Sequence, residues 1–252
     1  MQKKGKCLIF GAANTEGPSC SVGRLPGITR KPGDLVIAAD GGLKLLSQTG
    51  ISPDIILGDF DSLGYVPSKG GFPQAVEILL HPVEKDDTDT GLAIKTALKR
   101  GYRHIELFGC LGGERFDHSI AALQSLSYAV GHASPADASC KDISSCRESR
   151  VFAAAYGDIG SDGKFPVVIA LKNSSLELPP TLSGTISVFA ADGVCRGVDL
   201  INLYYPLENH TLSPDFPLGV SNSFIDGQAA SISVREGTLW IMLRSPERLF
   251  TE

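Results

Sequence analysis

The first 130 residues repeat one rhythm: a short apolar run, a polar or glycine-rich turn, then a segment with helical spacing of its apolar positions. The runs are Cys7–Phe10, Leu35–Ala39, Asp54–Leu57, Ala75–Leu80 and His104–Phe108. Each is too short for a helix, and most are rich in Val, Ile, Leu or Phe without strict alternation. That is the pattern of parallel strands buried on both faces. Between them, Thr90–Arg100 carries Leu92, Ala93, Ala97 and Leu98, ends in basic residues and is followed by Gly101, which predicts a helix. Ser119–Val130 repeats the design with Ile120, Leu123, Leu126 and Val130 and stops at Gly131. Val151–Tyr156 reads as one more strand. The alternation predicts a doubly wound, mostly parallel, Rossmann-like α/β domain over residues 1–160.

Residues 131–150 break the rhythm, being small, polar and poorly periodic, and read as a surface excursion. From Phe165 onward the apolar runs are separated by turns rather than by helical spacing. Val167–Leu171, Thr185–Ala190, Ser231–Val234 and Leu239–Leu243 are bounded by Gly, Pro, Asn and Asp. Residues 161–252 are therefore expected to form an all-β sandwich or half-barrel.

Composition narrows the chemistry. Net charge is −5 over 252 residues, so no basic field exists to hold a nucleic-acid backbone. An acidic chain that takes a phosphorylated ligand needs metal ions or local basic side chains to offset repulsion. No stretch approaches the roughly 20 apolar residues of a membrane span. Near the start, the apolar run Cys7–Phe10 is too short for the core of an export signal. Cys7, Cys20, Cys110, Cys140, Cys146 and Cys195 form no C-x-x-C pair, which argues against a zinc ribbon or thioredoxin-type site. Their scatter reads as reduced thiols in a cytoplasmic protein, with a Cys140–Cys146 bridge as the one alternative.

Ligands of an open parallel sheet bind beyond the carboxyl ends of its strands. Four successive predicted strand ends carry Gly and Asp: Asp40-Gly41-Gly42, Gly58-Asp59-Phe60-Asp61-Ser62, Glu84 to Thr90, and Gly109 to His118. In Asp59-Phe60-Asp61 both carboxylates can project the same way with Phe60 turned into the core, and Gly58 permits the sharp turn. With Asp89 as a third oxygen donor, Asp59 and Asp61 make a candidate catalytic and metal centre for Mg²⁺. Turn capping is the plain alternative for a lone D-x-D. Three acidic strand ends together favour the metal. Asp86 and Asp87 stay unassigned on charge alone, Thr88 or Asp89 serves as helix N-cap, and Lys85 faces either phosphate or the neighbouring acids. Gly109–Gly113 leads into a helix start, a combination suited to phosphate, with Arg115 as clamp and His118 either a base or structural.

At these residues the chain resembles the thiamine pyrophosphokinase family. The ordered signatures are Ala39-Asp40-Gly41-Gly42, Gly58-Asp59-Phe60-Asp61-Ser62, Lys85-Asp86-x-Thr88-Asp89 and Gly113-x-Arg115-x-Asp117-His118, followed by Tyr205-Pro206-Leu207 and Ser221-Asn222. The resemblance implies a catalytic α/β domain, a thiamine-binding β domain and a homodimer whose cleft is shared between subunits. It implies Mg²⁺ on Asp59, Asp61 and Asp89. Lys85, Asp86, Arg115, Asp117 and His118 would face ATP, and Asp40, Gly41, Gly42, Ser221 and Asn222 would face thiamine. The expected reaction moves a diphosphate from ATP to the thiamine hydroxyl, releasing AMP. Ala122 stands where the family often has asparagine, and residues 131–150 look longer than usual. A D-x-D nucleotide-sugar glycosyltransferase and a catalytically silent thiamine-binding protein are the competing readings.

Overall fold

The computed structural model describes residues 4–12, 27–72, 75–82, 86–132 and 151–249. The expected positions Lys85, Cys20, Cys140 and Cys146, with nearly all of the 131–150 segment, lie outside the described residues. The N-terminal part comprises β1 (Cys7–Phe10), β2 (Leu35–Ala39), α1 (Gly42–Ser47), β3 (Ile55–Gly58), β4 (Glu77–Leu80), α2 (Asp89–Lys99), β5 (His104–Phe108), α3 (Phe116–Gly131) and β6 (Phe152–Tyr156). The remainder is all strand: β7 (Phe165–Lys172), β8 (Ser175–Leu178), β9 (Thr185–Ala190), β10 (Cys195–Ile201), β11 (Leu207–Leu212), β12 (Asn222–Ser223), β13 (Ala230–Glu236) and β14 (Thr238–Ser245).

One ten-stranded sheet runs in the order β12-β9-β14-β7-β6-β5-β1-β2-β3-β4. From β6 to β4 every pairing is parallel. The direction reverses at β6–β7 and the rest is antiparallel. The change from α/β to all-β rhythm near residue 160 is thus no break in the sheet, which passes straight through it. A second sheet, β11-β10-β13-β8, packs over the antiparallel end to form the sandwich, and the two share one apolar core.

The fully buried β1 and β2 explain the unalternating apolar runs, because helices or chain cover both sheet faces. On one face Ile9, Ile37 and Leu107 pack under Ala93, Ile94 and Ala97 of α2 and Leu123 and Leu126 of α3. On the other, Leu8, Phe10 and Val36 meet Leu43, Leu45 and Leu46 of α1. Truncating a residue such as Ile94, which is wholly buried, to alanine costs about 2–5 kcal/mol. β4 departs from expectation: it is the sheet edge, only partly covered, with Leu80 64% exposed. α3 bridges the two rhythms, since it lies on β6 and β7 and Ser127 Oγ accepts a 2.9 Å bond from Trp240 Nε1 of β14.

Residues 248 and 249 return to β5 and β6, where they meet buried polar groups. Glu106, wholly buried on β5, accepts from Arg248 Nε at 2.6 Å, lies 3.3 Å from Lys6 Nζ and 2.8 Å from His104 Nε2. Tyr156 donates to the Leu249 carbonyl at 3.1 Å. Paired on every side, Glu106 tolerates an environment that would exclude a lone carboxylate.

Candidate active site

Strand order places the topological switch at β1, with β2–β4 laid out to one side and β5 and β6 to the other. The crevice of such a sheet opens at the carboxyl ends beside the switch. Gly11, directly after β1, donates to Phe108 O at 2.8 Å, and a side chain there would meet Cys110 Sγ at 2.6 Å. A small polar hollow opens at this point, lined by Thr88, Thr90, Gly109, Cys110 and His118.

Register accounts for the acidic rim. β2 and β3 pair with Ala39 opposite Leu57, which sets Asp40 beside Gly58 and one residue from Asp59. Asp40 has φ 45°, the left-handed conformation that aspartate tolerates better than most residues, and its amide bonds Leu57 O at 2.7 Å. Gly42 admits no side chain because its Cβ would fall 1.9 Å from Phe10 O. That close approach seats the start of α1 on the end of β1. Thr88 caps α2, its hydroxyl accepting from Gly91 N at 3.0 Å, and puts Asp89 in the first turn, where the helix dipole favours negative charge.

Carboxylate oxygens of Asp40, Asp59 and Asp89 consequently lie within 4.8 Å of one another. Asp40 is 6% exposed, and among the described residues its Oδ1 is buried without a hydrogen-bond partner. Leaving such an oxygen unsatisfied is costly. Three hard oxygen donors converging around it suit a cation such as Mg²⁺.

Two of the expected ligands, Asp59 and Asp89, stand in this trio. Phe60 is buried as predicted and has φ 65°. Asp61 is exposed, gives its amide to Asp59 Oδ1 at 3.2 Å and accepts from Ser62 Oγ at 3.2 Å. Asp40, expected on the thiamine side, takes the third place. Counting one residue past the paired ends of β2 and β3 would have located it.

Across the switch, Gly109, Gly112 and Gly113 all have positive φ, and the buried Ser119 holds the turn by accepting from Gly112 N at 2.9 Å. Sequence reasoning did not single out Ser119. Arg115 spends Nε and Nη2 on Asp117 at 3.0 and 2.6 Å, an exposed bidentate pair at the start of α3. Arg115 holds the Asp117 carboxyl at about 2, well below the usual range. His118 lines the small hollow, whereas Asp86 is exposed and does not line it. Burial pushes the Cys110 thiol up to about 11, so it is no nucleophile at neutral pH.

Ser221 and Asn222 lie at the far edge of the sheet. Asn222, on β12, is eight strand positions from β3, roughly 40 Å at ordinary spacing before twist shortens it. Its side chain is buried and engaged: Oδ1 accepts from Tyr205 N and Ser223 N at 2.9 and 2.8 Å, and Nδ2 donates to Tyr205 O at 2.7 Å. Ser221 is exposed with φ 59°. Beside them Tyr204 and Tyr205 stand edge to face, 67% and 63% exposed.

A parallel sheet whose switch point gathers three carboxylates and a glycine-rich helix start, continued into a β-sandwich, defines a doubly wound α/β class with an appended all-β part. Residues 30–135 match the catalytic domain of thiamin pyrophosphokinase, and residues 174–239 match the vitamin B1 binding domain of the same family. The chain belongs to the thiamin pyrophosphokinase family. It is 34% identical over 110 residues to thiamine pyrophosphokinase of Bacillus subtilis (strain 168), a match spanning 44% of this chain and half the length of that relative. The crystal structure of the Bacillus subtilis thiamine pyrophosphokinase superposes with TM-score 0.70 at 21% identity, covering 94% of this chain and 98% of that one. The Geobacillus thermodenitrificans thiamin pyrophosphokinase gives 0.68 at 23%, covering 96% and 97%. The yeast enzyme gives 0.62 at 14%, covering 99% and 89%. These likenesses establish a shared fold across the whole chain.

Proposed function

We propose that the protein is a thiamine diphosphokinase, transferring the diphosphate of ATP to the thiamine hydroxyl with release of AMP. The observation that carries the reading is the Asp40, Asp59 and Asp89 trio with its orphaned buried oxygen, set at the switch point of a chain carrying both family domains. Those three carboxylates would hold Mg²⁺, with Asp61 outside the trio. When bound there, the cation supplies neutralising charge for phosphoryl oxygens. The Gly109–Gly113 turn and the start of α3 offer backbone N–H groups to phosphate. Arg115, its fork fixed by Asp117, presents its remaining donors in a set direction. Lys85, Asp86 and His118 belong to the ATP side, and Gly41, Gly42, Ser221 and Asn222 to the thiamine side. Such a transfer depends on alignment and charge more than on covalent catalysis.

Two copies are needed to complete this site. The distance from β12 to β3 keeps Ser221 and Asn222 away from the trio within one chain. Tyr204, Tyr205 and Phe216, each more than 60% exposed, offer an aromatic surface that a second subunit would cover. Asn222 then acts as the brace of the Tyr205–Pro206 turn, and Tyr205 becomes the better candidate for contact with the ring system. Among the described residues no helix is long and apolar enough to cross a membrane. Cys7, Cys110 and Cys195 are free and buried, which supports a cytoplasmic setting.

Mass spectrometry of products after incubation with thiamine, ATP and magnesium tests the reading. Thiamine diphosphate and AMP in equal amounts are expected. Thiamine binding without turnover, or release of a nucleoside diphosphate in a parallel incubation with a nucleotide sugar, would replace it with one of the competing readings.

A further inference from the structure

The turn that carries Asp59 and Asp61 is held from two sides. Its inner side is apolar: Phe60 and Leu63 are buried in the same core as Leu43, Leu45 and Leu46 of α1. Gly64 N closes the turn onto Phe60 O and Asp61 O, both at 3.2 Å. On its outer side Asp61 and Ser62 are exposed, and there Lys44 Nζ reaches across from α1 to donate to Ser62 O at 2.6 Å. Ser62 Oγ donates to Asp61 Oδ1, and Asp61 N donates to Asp59 Oδ1, each at 3.2 Å. A line of polar contacts therefore runs from Lys44 to one carboxylate of the trio.

The start of α1 carries a second carboxylate of the trio. Asp40 O accepts from Leu43 N at 3.1 Å and Gly41 O from Lys44 N at 3.0 Å, so Lys44 sits about one turn beyond Asp40. Gly42 presses that first turn against Phe10 O and fixes it on the end of β1. α1 is thus a short strut, with Asp40 at its start and the Lys44 side chain gripping the turn that bears Asp59. The bond goes to a backbone carbonyl, so it fixes the course of the chain rather than one rotatable side chain.

We infer that Lys44 is a positioning residue for the trio: it sets the place of Asp59 relative to Asp40 and thereby the affinity of the site for a divalent cation. The inference rests on the diphosphokinase reading in taking the trio as a cation site. An ammonium here has two effects of opposite sign, which makes its role separable. Through charge alone Lys44 repels a cation at the carboxylates, so its removal would tighten metal binding. Through geometry it steadies the turn behind one oxygen donor, so its removal weakens binding. Magnitudes favour geometry. A charge at an exposed contact is screened and worth up to about fivefold, whereas losing a supporting contact behind a metal ligand costs about 10–100-fold. Mg²⁺ also demands near-ideal octahedral spacing and tolerates a displaced oxygen poorly.

Binding of Mn²⁺ to the intact protein without substrates, followed by electron paramagnetic resonance, tests this. Lys44→Met keeps the length of the side chain and should weaken Mn²⁺ binding about tenfold, the low end because the hold passes through Ser62 and Asp61. Lys44→Arg restores a donor and should return to within about threefold of wild type. Ser62→Ala, at an exposed position that does not challenge folding, keeps the carbonyl, breaks the line one step further on and should lose about threefold. Unchanged or tighter Mn²⁺ binding by Lys44→Met, whatever its melting temperature, overturns the positioning role. So does a loss that Lys44→Arg fails to restore, or a wild type that binds no Mn²⁺. Should Lys44→Met not fold, wild-type affinity in Ser62→Ala has the same force. The expected losses in a protein that forms no AMP from ATP and thiamine overturn the diphosphokinase reading and leave the role of Lys44 standing.

Discussion

Asp40 and Gly58 stand side by side at the ends of β2 and β3, so close that a side chain on Gly58 would begin 3.0 Å from the Asp40 Cβ. Gly58 also has φ 147°, a conformation that L side chains rarely adopt. The contact is how the backbone brings Asp40 up to Asp59. Gly58→Ala should therefore act twice, straining the chain by about 1–3 kcal/mol and pushing Asp40 out of the trio. Thermal denaturation should show the first effect and a raised magnesium requirement for turnover the second. A variant with wild-type magnesium dependence would separate Gly58 from the site.

Asp40→Asn and Asp61→Asn distinguish the observed trio from the one the D-x-D spacing predicts. Removing the Asp40 charge should lower kcat by about a hundredfold or more, the scale of losing one group that stabilises transition-state charge. In the metal-free protein the same change should be neutral or stabilising by about 1 kcal/mol, because it removes a buried ionised group whose Oδ1 has no partner. Asp61→Asn, at an exposed position, should cost less activity and leave stability unchanged. The reverse order in manganese binding, followed by electron paramagnetic resonance, would return Asp61 to the metal.

Much of this molecule was legible in its sequence. β1, β2, β5 and β9 fall on the expected residues, because their apolar positions make runs too short for a helix and turn residues bound them. Thr88 caps α2, one of the two residues at which the sequence left the cap open. α1 was not picked out because six residues starting Gly42-Leu43-Lys44 give too little periodicity to count. β11 was hidden for a different reason: Leu207–Leu212 is an edge strand with mostly exposed side chains, so no apolar alternation marks it. The place of Asp40 beside Asp59 turned on the pairing register of β2 and β3, set by tertiary contacts that a single chain segment does not encode.

The Arg115–Asp117 pair makes a prediction confined to two residues. Arg115 holds the Asp117 carboxyl at about 2, and both side chains are open to solvent. Arg115→Ala should let that carboxyl return toward its ordinary 3.8, which carbon-detected NMR titration can follow. Because the pair is exposed, the melting temperature should hardly move. The KM for ATP should rise with little change in that for thiamine. A fall in stability without a change in the KM for ATP would make the pair a helix-start brace alone.

Glu106 and Arg248 control the acid limit of stability. Burial by itself would raise the Glu106 pKa, but hydrogen bonds from His104 and Arg248 more than offset it and leave the carboxyl below its ordinary 4.5. A folded-state pKa below the unfolded one means that the unfolded chain takes up the proton first as pH falls. The stabilisation is complete above 4.5 and drains away as pH drops through the lower folded value. Arg248→Met should therefore destabilise at neutral pH by roughly 3 kcal/mol, the low end for breaking a buried pair because Lys6 and His104 still face the glutamate. It should also shift acid unfolding to higher pH. Glu106→Gln combined with Arg248→Met removes both charges and should recover part of the loss, as measured by urea denaturation at pH 7 and at pH 4. Equal destabilisation by the single and double variants would show that the tail is held by the Tyr156–Leu249 bond and packing rather than by the charge pair.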